Sequence, residues 1–358
     1  MKYCLWLHSI EGFGPASAAK MLEEGLCAED IFRMRAEEIE KLPFLRSDQK
    51  RNLIRAQMEM DPDELTENLK KKKISFYSLE KGPYPKKLRN LRDAPYGLFC
   101  KGRLPDEERF TVGIVGARSC SSYGRSIARQ IGRELGKNGV EVISGLARGV
   151  DGAAQRGAVN AGGKSYAVLG CGVNICYPKE NYELFSEIER NGGIISEYPP
   201  GTEPIAGHFP LRNRIISGLS DCIIVVEARK KSGSLITAEY ALEQGKEVYA
   251  VPGQLDSKLS WGCHQLIHQG AGIYVSTEEF LQDMSLTFEG GEIASEDGNL
   301  EKREKLVYSS ITLLPKSSME IQAETGLELR ELLEILLQLE LKKKILELTK
   351  GNYIRIRR

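Results

Sequence analysis

The sequence is poor in the residues and motifs on which most enzymes and cofactor-binding proteins depend. Its 358 residues include four histidines, and none stands beside a nucleophile elbow, so a hydrolytic triad has no obvious reagents. The eight cysteines contain no C-x-x-C pair, which argues against a zinc ribbon and against a disulfide framework. No G-x-x-x-x-G-K-S/T motif occurs, so a Walker phosphate loop is excluded.

Long apolar runs and an excess of charge are missing as well. His8 and Glu11 interrupt the apolar start of the chain, so we expect neither a secretory signal nor a membrane span, and we predict a cytoplasmic protein without membrane contact. The 50 basic residues balance the 50 acidic ones. A polyanion therefore has to be held by a local cluster of basic side chains.

The nearest approach to a metal site is the trio Cys263, His264 and His268 on a predicted helix. No second pair of ligands at the usual spacing completes it. We therefore predict no bound metal and no cofactor.

The chain divides into four predicted regions. Residues 1–68 alternate short helical patterns with charged turns, and residues 69–285 alternate strands with helices. Residues 286–304 are polar and acidic with adjacent glycines, which is typical of a flexible linker. Residues 305–358 contain three short helical patterns and then a hairpin, and this order predicts a winged helix.

A glycine hairpin stands near the start of the chain, at Gly12 and Gly14. It resembles the hairpin of helix-hairpin-helix modules, whose amide groups can contact DNA phosphates. The simpler interpretation is a tight turn between two helices. We favour the turn because this region carries about as many acids as bases, and we predict a small accessory helical domain.

The alternation of strands and helices in residues 69–285 predicts an α/β fold, with a mainly parallel sheet covered on both faces. Several strands are continuous valine and isoleucine runs, as burial on both faces requires. The predicted strands are residues 112–115, 141–144, 165–169, 193–196, 222–227, 247–251 and 273–275, with two strand-like segments ahead of them at 74–78 and 97–101. The predicted helices are residues 125–137, 152–160, 181–190, 209–218 and 235–244.

Four loops that follow these strands are rich in glycine, serine and arginine. They are residues 116–124, 144–152, 170–178 and 227–238. The carboxyl ends of parallel strands meet at one edge of a sheet, where glycine lets a ligand approach the backbone and serine or threonine caps the next helix. Together the four loops predict an extended rim lined with phosphate-binding groups.

The first of these loops departs from a dinucleotide-binding fingerprint. Arg118 stands where G-x-G-x-x-G has its second glycine, and Ser144-Gly145 stands where a ribose-binding acid is expected. Both departures disfavour a nicotinamide cofactor. Arginine at this position predicts that a side chain and the helix terminus grip the phosphate together.

Residues 208–214 place an aromatic ring and two guanidinium groups around one helix start. Backbone phosphates favour arginine, and unpaired bases favour a flat ring on which they stack. The alternative is that Phe209 belongs to the core and that Arg212 and Arg214 make internal salt bridges. The natural internal partners are Asp151 and Glu197, and the further ring candidates are Tyr177 and Tyr198.

The motifs resemble those of the DNA processing protein A family, DprA, also called Smf. They include Gly116-x-Arg118-x-x-Ser121-x-Tyr123-Gly124, Ser144-Gly-Leu-Ala-Arg148-Gly-Val-Asp151, Phe209-x-x-Arg212-Asn213-Arg214 and Ser232-Gly233-Ser234-Leu-x-Thr237-Ala238. The resemblance covers roughly residues 70–285, with the motifs in the family's order.

The resemblance implies a Rossmann-like core that binds single-stranded DNA without sequence preference, forms a homodimer and hands the strand to RecA during natural transformation or related recombination, with no chemical turnover. It also implies a SAM-like or helix-hairpin-helix domain at the start and an optional winged-helix domain at the end. Carried onto this chain, the resemblance implies that phosphates are held by Gly116, Arg118 and the amides of Ser121 and Ser122. It implies a pocket for bases bordered by Phe209, Arg212 and Asn213. The rest of the rim is formed by Gly145, Arg148, Gly233 and Ser234.

The predicted winged helix carries charges of both signs. Its wing and tail are basic, through Lys342, Lys343, Lys344, Lys350, Arg355, Arg357 and Arg358. Its third helix is acidic and rich in leucine, and an acidic face repels a major groove. We therefore favour protein contact or weak DNA contact over base readout for this module.

Two other functions are open from the residues alone. One is a nucleotide-phosphate hydrolase of the phosphoribohydrolase type with Glu239 as its carboxylate, although the P-G-G-x-G-T sequence of those enzymes is missing. The other is a winged-helix transcription regulator with a ligand-sensing α/β domain. The acidic third helix argues against the regulator.

Overall fold

The computed structural model describes residues 1–286, 301–312, 315–342, 344–349 and 351–355. The chain forms two compact units, Met1–Met284 and Ser285–Arg358. Within the described ranges, every helix is too short or too polar to cross a membrane. The predicted domain boundaries stay predictions, and residues 287–300 of the predicted linker lie outside the described part of the chain.

Six short helices open the first unit and enclose a core of their own. They are Lys2–His8 (α1), Pro15–Glu23 (α2), Ala28–Arg33 (α3), Ala36–Glu40 (α4), Ser47–Glu59 (α5) and Pro62–Lys71 (α6). Trp6, Met21 and Leu53 are fully buried in this core, and burial of each such side chain stabilises the fold by about 2 kcal/mol. Gly12 turns the chain at φ 83°, and its carbonyl accepts a hydrogen bond from Gln49 Nε2 at 2.7 Å.

His8 joins this helical region to the sheet beside it. Its Nε2 lies 2.7 Å from the backbone oxygen of Glu197, and its ring centre lies 5.6 Å from that of Phe76 and 5.5 Å from that of Phe99. Burial lowers the pKa of His8 to about 4. The imidazole is therefore neutral near pH 7 and donates Nε2–H to the carbonyl.

A nine-stranded sheet forms the centre of the first unit. Its strands are Ser75–Ser78 (β1), Gly97–Gly102 (β2), Thr111–Val115 (β3), Glu141–Ser144 (β4), Ser165–Val168 (β5), Gly193–Ser196 (β6), Cys222–Val225 (β7), Glu247–Ala250 (β8) and Gly272–Ile273 (β9). The order is β1-β2-β6-β5-β4-β3-β7-β8-β9, with β2 antiparallel to both neighbours and all other pairs parallel. The order reverses between β3 and β7, the position at which open parallel sheets bind ligands.

Helices cover both faces of this sheet. They are Lys86–Arg89 (α7), Ser122–Lys137 (α8), Val150–Asn160 (α9), Tyr182–Asn191 (α10), His208–Leu219 (α11), Gly233–Glu243 (α12), Trp261–His268 (α13) and Thr277–Asp283 (α14). Alternate residues of β5 belong to different apolar clusters: Tyr166 packs in the cluster of Ile215 on α11, and Ala167 in that of Leu184 on α10. The predicted Rossmann-like α/β fold is confirmed.

Close backbone contact between α8 and α9 fixes the loops that lead into them. A Cβ on Gly132 would lie 2.0 Å from the Ala154 carbonyl oxygen, and a Cβ on Gly157 would lie 2.1 Å from the Arg129 carbonyl oxygen. Any side chain at either glycine would separate the helices. The loops after β3 and β4 are therefore held in a defined relation to each other.

The second unit has the element order of a winged helix. It contains Lys302–Ser310 (α15), Lys316–Ser317 (β10), Ser318–Thr325 (α16), Leu329–Leu341 (α17), Ile345–Thr349 (β11) and Asn352–Arg355 (β12), with sheet order β10-β12-β11. Ser317 and Glu320 form a capping box at the start of α16, and Gly326 ends it at φ 68°. Of the predicted basic wing and tail, Lys343, Lys350 and residues 356–358 lie outside the described residues.

Candidate nucleic-acid interface

The predicted loops after β3, β4 and β5 meet at the carboxyl edge of the large sheet. A Cβ on Gly149, which has φ 76°, would lie 2.2 Å from the Ala117 carbonyl oxygen, so the loops after β3 and β4 touch. A Cβ on Gly170 would lie 2.9 Å from Phe209 Cδ1, so the start of α11 packs on the loop after β5. Glycine at these positions brings the candidate residues together.

A cation and two aromatic rings meet at this edge and form what we call the ring cluster: the exposed Arg118 and Tyr177 and the half-buried Phe209. The Arg118 guanidinium carbon lies 5.1 Å from the Phe209 ring centre, and Arg118 is exposed. The Tyr177 and Phe209 ring centres are 5.6 Å apart with a 30° tilt, and Tyr177 is 44% exposed. Such a surface offers a positive charge to a phosphate and flat faces to bases.

Arg212, which was predicted to border a base pocket, lies beneath the ring cluster and not on the surface. It is 3% exposed. Its Nη1 donates to the Gly145 carbonyl at 3.0 Å and also to the Val168 carbonyl, so it joins the ends of β4 and β5. Within the described residues its Nε has no hydrogen-bond partner.

Asp151 compensates part of the buried charge. Its Oδ2 accepts from the Gly145 amide at 3.1 Å, and a Cβ on Gly145 would lie 2.5 Å from Arg212 Nη1 and 2.7 Å from Asp151 Oδ2. Burial lowers the pKa of Arg212 to about 10 and raises the pKa of Asp151, while the attraction between the two charges opposes both shifts. Gly145 therefore leaves room for a buried charged pair and presents no open backbone to a ligand.

Arg214 makes internal ion pairs, which is the alternative that the sequence left open. Its Nε lies 3.0 Å from Asp93 Oδ2, and its Nη2 lies 2.8 Å from Glu197 Oε2. The Glu197 side chain is only 12% exposed. This arginine is 4% exposed. Arg214 thus joins α11 to the segments that carry Asp93 and Glu197.

Glu227 occupies the start of α8, where a phosphate was predicted to bind. Its carboxylate accepts from the Ser121 amide at 2.8 Å and from the Ser121 hydroxyl at 2.5 Å. Glu227 is 4% exposed, and its carboxylate compensates the partial positive charge at the start of the helix. The Ser121 amide thus donates to an internal anion at the place where a phosphate was predicted, whereas Ser122 is exposed.

The remaining predicted residues differ in accessibility. Asn213 is half-buried and donates from Nδ2 to the Gly233 carbonyl at 3.1 Å, which ties α11 to the start of α12. Gly233 is exposed, whereas Ser234 is 7% exposed and its amide donates to Ser232 Oγ at 3.4 Å. Arg148 is exposed and paired with the equally exposed Glu180. Gly116 is partly buried, and a Cβ there would lie 2.7 Å from the Val150 side chain.

The residues considered for hydrolysis and for metal binding, Glu239 and the trio Cys263, His264 and His268, lie on α12 and α13. Glu239 is exposed on α12. In the trio once considered for metal, the Cys263 thiol is buried against the Val225 carbonyl, and His264 Nε2 lies 3.0 Å from the Gly253 carbonyl. Across the described residues, no group of three side chains is arranged to hold a metal ion.

Sequence reasoning missed the contact between Glu227 and Ser121, and it gave an internal place for Arg212 beside Asp151 only as the alternative to a base pocket. Glu227 was counted only as the start of a glycine-rich loop, although it stands at the end of β7, directly across from β3. Gly145, directly after β4, was the available signal for the place of Arg212, because a side chain there would collide with the guanidinium.

The fold and the sequence both match characterised proteins. A family model described as DNA recombination-mediator protein A matches residues 75–285. DNA processing protein DprA of Streptococcus pneumoniae is 42% identical over 211 residues, which cover 59% of this chain and 74% of that protein. The X-ray structure of DNA processing protein A from Streptococcus pneumoniae matches with a TM-score of 0.69 at 34% identity, covering 79% of this chain and 98% of that chain.

A second solved structure resembles this chain over a shorter stretch. It is DNA processing protein A from Helicobacter pylori, whose single-stranded DNA binding mode was studied. It matches with a TM-score of 0.53 at 31% identity, covering 59% of this chain and 95% of that chain.

Proposed function

The chain belongs to the DNA recombination-mediator protein A family, and on this basis we propose that it binds single-stranded DNA at the carboxyl edge of its large sheet. The observation that carries the proposal is the exposed Arg118 guanidinium over the Phe209 ring, with Tyr177 beside it. As part of the same proposal, the protein is a cytoplasmic homodimer that hands the strand to RecA in natural transformation or related recombination, without chemical turnover.

The chemistry of the ring cluster suits a single strand better than a duplex. Bases of a single strand are free to stack on aromatic side chains, and each such contact contributes about 1–3 kcal/mol. All four bases have a flat face, so this binding is independent of sequence. Arg118 supplies the charge that a phosphate needs next to the stacked base.

The buried residues support this surface by holding it in shape. Arg212 ties the ends of β4 and β5 directly below Phe209, and its guanidinium carbon is 6.0 Å from the ring centre. Asn213 connects the same helix to the loop at Gly233. A site whose parts are already in place loses less conformational freedom when it binds.

The phosphoribohydrolase alternative is disfavoured by Glu227. A nucleotide phosphate at the start of α8 would meet this buried carboxylate, and two negative charges at one helix terminus repel each other. A strand on the ring cluster meets the exposed Arg118 guanidinium and does not need the helix terminus that Glu227 occupies. The observation therefore favours a polymer along the rim over a small nucleotide in the crevice.

The direct test is the affinity of the full chain for a fluorescently labelled oligothymidylate, measured by anisotropy at several salt concentrations. We expect Arg118→Ala and Phe209→Ala each to weaken binding by about tenfold, since each removes roughly one stacking or phosphate contact. Arg118→Ala also lowers the salt slope by about 0.7.

Arg51→Ala is the matched control, because Arg51 is an exposed arginine on α5, away from the sheet edge. Normal binding by both Arg118→Ala and Phe209→Ala would contradict the proposed site. An unlabelled duplex of the same length should compete poorly.

Delivery to RecA rests on family membership. Its test is the rate at which RecA assembles on the oligothymidylate, with and without this protein. We expect faster assembly with the wild-type chain and no acceleration with Arg118→Ala, because an unbound mediator cannot present the strand.

A further inference from the structure

A second cation stands over a ring on the same edge of the sheet. Lys230 Nζ lies 5.0 Å from the centre of the Trp261 ring. Trp261 is 39% exposed, whereas the chain's other tryptophan, Trp6, is fully buried. A large aromatic side chain left in water next to a lysine repeats the chemistry of the ring cluster at a separate place.

The backbone around Trp261 holds the ring in a fixed position. Trp261 is the first residue of α13, and the next residue, Gly262, donates its amide to the Ala228 carbonyl at 2.7 Å. The Ala228 amide in turn donates to the Leu259 carbonyl at 2.8 Å. A Cβ on Gly262 would lie 2.7 Å from Ala228 Cβ, so only glycine permits this approach.

The loops that carry the ring cluster and Lys230, the cation over Trp261, follow strands of the same sheet, so one DNA strand could contact both places. Phe209 packs on the loop after β5, Arg118 follows β3, and Lys230 follows β7. In the order β5-β4-β3-β7 these loops span three strand spacings, about 14 Å. All of them leave the sheet at its carboxyl ends.

The loop that carries Lys230 is basic along its length. Arg229, Lys230 and Lys231 are consecutive and exposed. An oligonucleotide backbone needs such charges at intervals, because each phosphate brings a negative charge. A ring for a base and cations for the adjoining phosphates are thus combined at one place.

We propose that Trp261 and Lys230 form a second contact for the same single-stranded DNA, in which a base stacks on the indole and the adjoining phosphate meets the 229–231 loop. This inference rests on the proposed single-strand binding. It adds a base-stacking site on the far side of the β3–β7 crevice from the ring cluster, so that one strand spans the crevice.

Intrinsic fluorescence tests the contact directly, because Trp6 is buried and only Trp261 is open to a base. Oligothymidylate should quench the wild-type emission over the same concentration range in which the anisotropy of a labelled strand rises. Trp261→Phe should lose the quenching and keep most of the affinity. Trp261→Leu should lose the quenching and weaken binding by about five- to tenfold, within the range of one stacked base.

Lysine variants complete the experiment. Lys230→Ala should weaken binding by a few fold and lower the salt slope, whereas Lys20→Ala, an exposed lysine on α2, should change neither. Circular dichroism verifies that each variant is folded.

The outcomes separate this inference from the proposed function. Anisotropy that rises without quenching, together with unchanged affinity in Trp261→Leu, would overturn the second contact and leave the ring cluster intact. Absence of any binding by the wild-type chain would overturn both. Quenching that disappears in Phe209→Ala at low strand concentration and returns at high concentration would support one strand that engages both places.

Discussion

At the carboxyl edge of the large sheet, cations stand over aromatic rings, whereas helix α17 of the second unit exposes leucines among acids. Leu329, Leu333, Leu337 and Leu341 are 47%, 46%, 59% and 74% exposed. Arg330 lies next to Glu334 on the same helix, 3.5 Å away. Of these two surfaces, the sheet edge combines cations with flat rings, the chemistry that suits a nucleic acid, whereas α17 exposes leucines and acids.

The two surfaces are built differently as well as composed differently. Below Phe209, buried Arg212 and Asp151 hold the loops in place. On α17 the leucines project from one helix, and the side chains of its buried face, such as Leu332 and Leu336, form the unit's own core. The first surface is a shaped site, and the second is an apolar stripe on a small domain.

The largest effect is expected for Arg212→Ala, which removes a buried charge below the sheet edge. Removing a buried guanidinium leaves Asp151 without its compensating charge and two strand ends unconnected, so we expect the free energy of unfolding of the first unit to fall by about 3–5 kcal/mol. Urea denaturation measures this. Arg330→Ala is the control, because its side chain is 94% exposed, and it should leave the midpoint unchanged. Equal losses in the free energy of unfolding for Arg212→Ala and Arg330→Ala would show that the sheet edge is no more dependent on buried support than α17.

Acid should also affect the two units differently. The folded-state pKa of His8 is about 4, below the ordinary 6.5, so the unfolded chain takes up a proton that the folded chain does not. Stability of the first unit should therefore fall as the pH drops from 6.5 to 4, by up to about 3 kcal/mol. All four histidines, at 8, 208, 264 and 268, belong to the first unit, so the second lacks this source of acid sensitivity.

Urea unfolding of His8→Gln at pH 7, 6 and 5 isolates the histidine contribution. Glutamine can donate to the Glu197 carbonyl without titrating, so the variant should lose less stability between pH 6.5 and 5 than the wild type. An identical pH dependence would show that another group is responsible.

The smallest effect is expected on α17. Leu337→Ala should change the affinity for oligothymidylate by less than twofold, since a leucine among acids contributes neither charge nor a stacking face. Phe209→Ala, measured in parallel, provides the contrast. A severalfold loss with Leu337→Ala would mean that the second unit takes part in strand binding and that the comparison is wrong.

Much of the fold could be predicted from local patterns. The apolar runs at 112–115 and 222–226 led to the predicted strands 112–115 and 222–227, which correspond to β3 and to β7. A strand buried on both faces leaves few polar positions. The predicted strand at 273–275 is shortened to Gly272–Ile273, at the end of the sheet where it has one neighbour. The short helix α7 and helix α14 were not predicted.

The candidate site was predictable in its location and less so in its detail. Glycine and arginine after parallel strands indicated the edge of the sheet at which the candidate site lies, and Arg118 is exposed there. Arg212 is the same residue type as Arg118, but it lies inside, where Gly145 leaves room for its guanidinium. Pairings such as Glu227 with Ser121 join residues 106 positions apart, so no local pattern reveals them.

The carboxylate of Glu227 at the start of α8 has a consequence for selectivity among the many phosphates of a cell. A helix terminus that already carries an acid offers no strong single pocket to a free mononucleotide. Affinity then has to accumulate from several weak contacts along the rim, at Arg118, Phe209 and their neighbours. Under the proposed function, chain length itself becomes the property that is recognised, and a long strand competes successfully against a large excess of monomers.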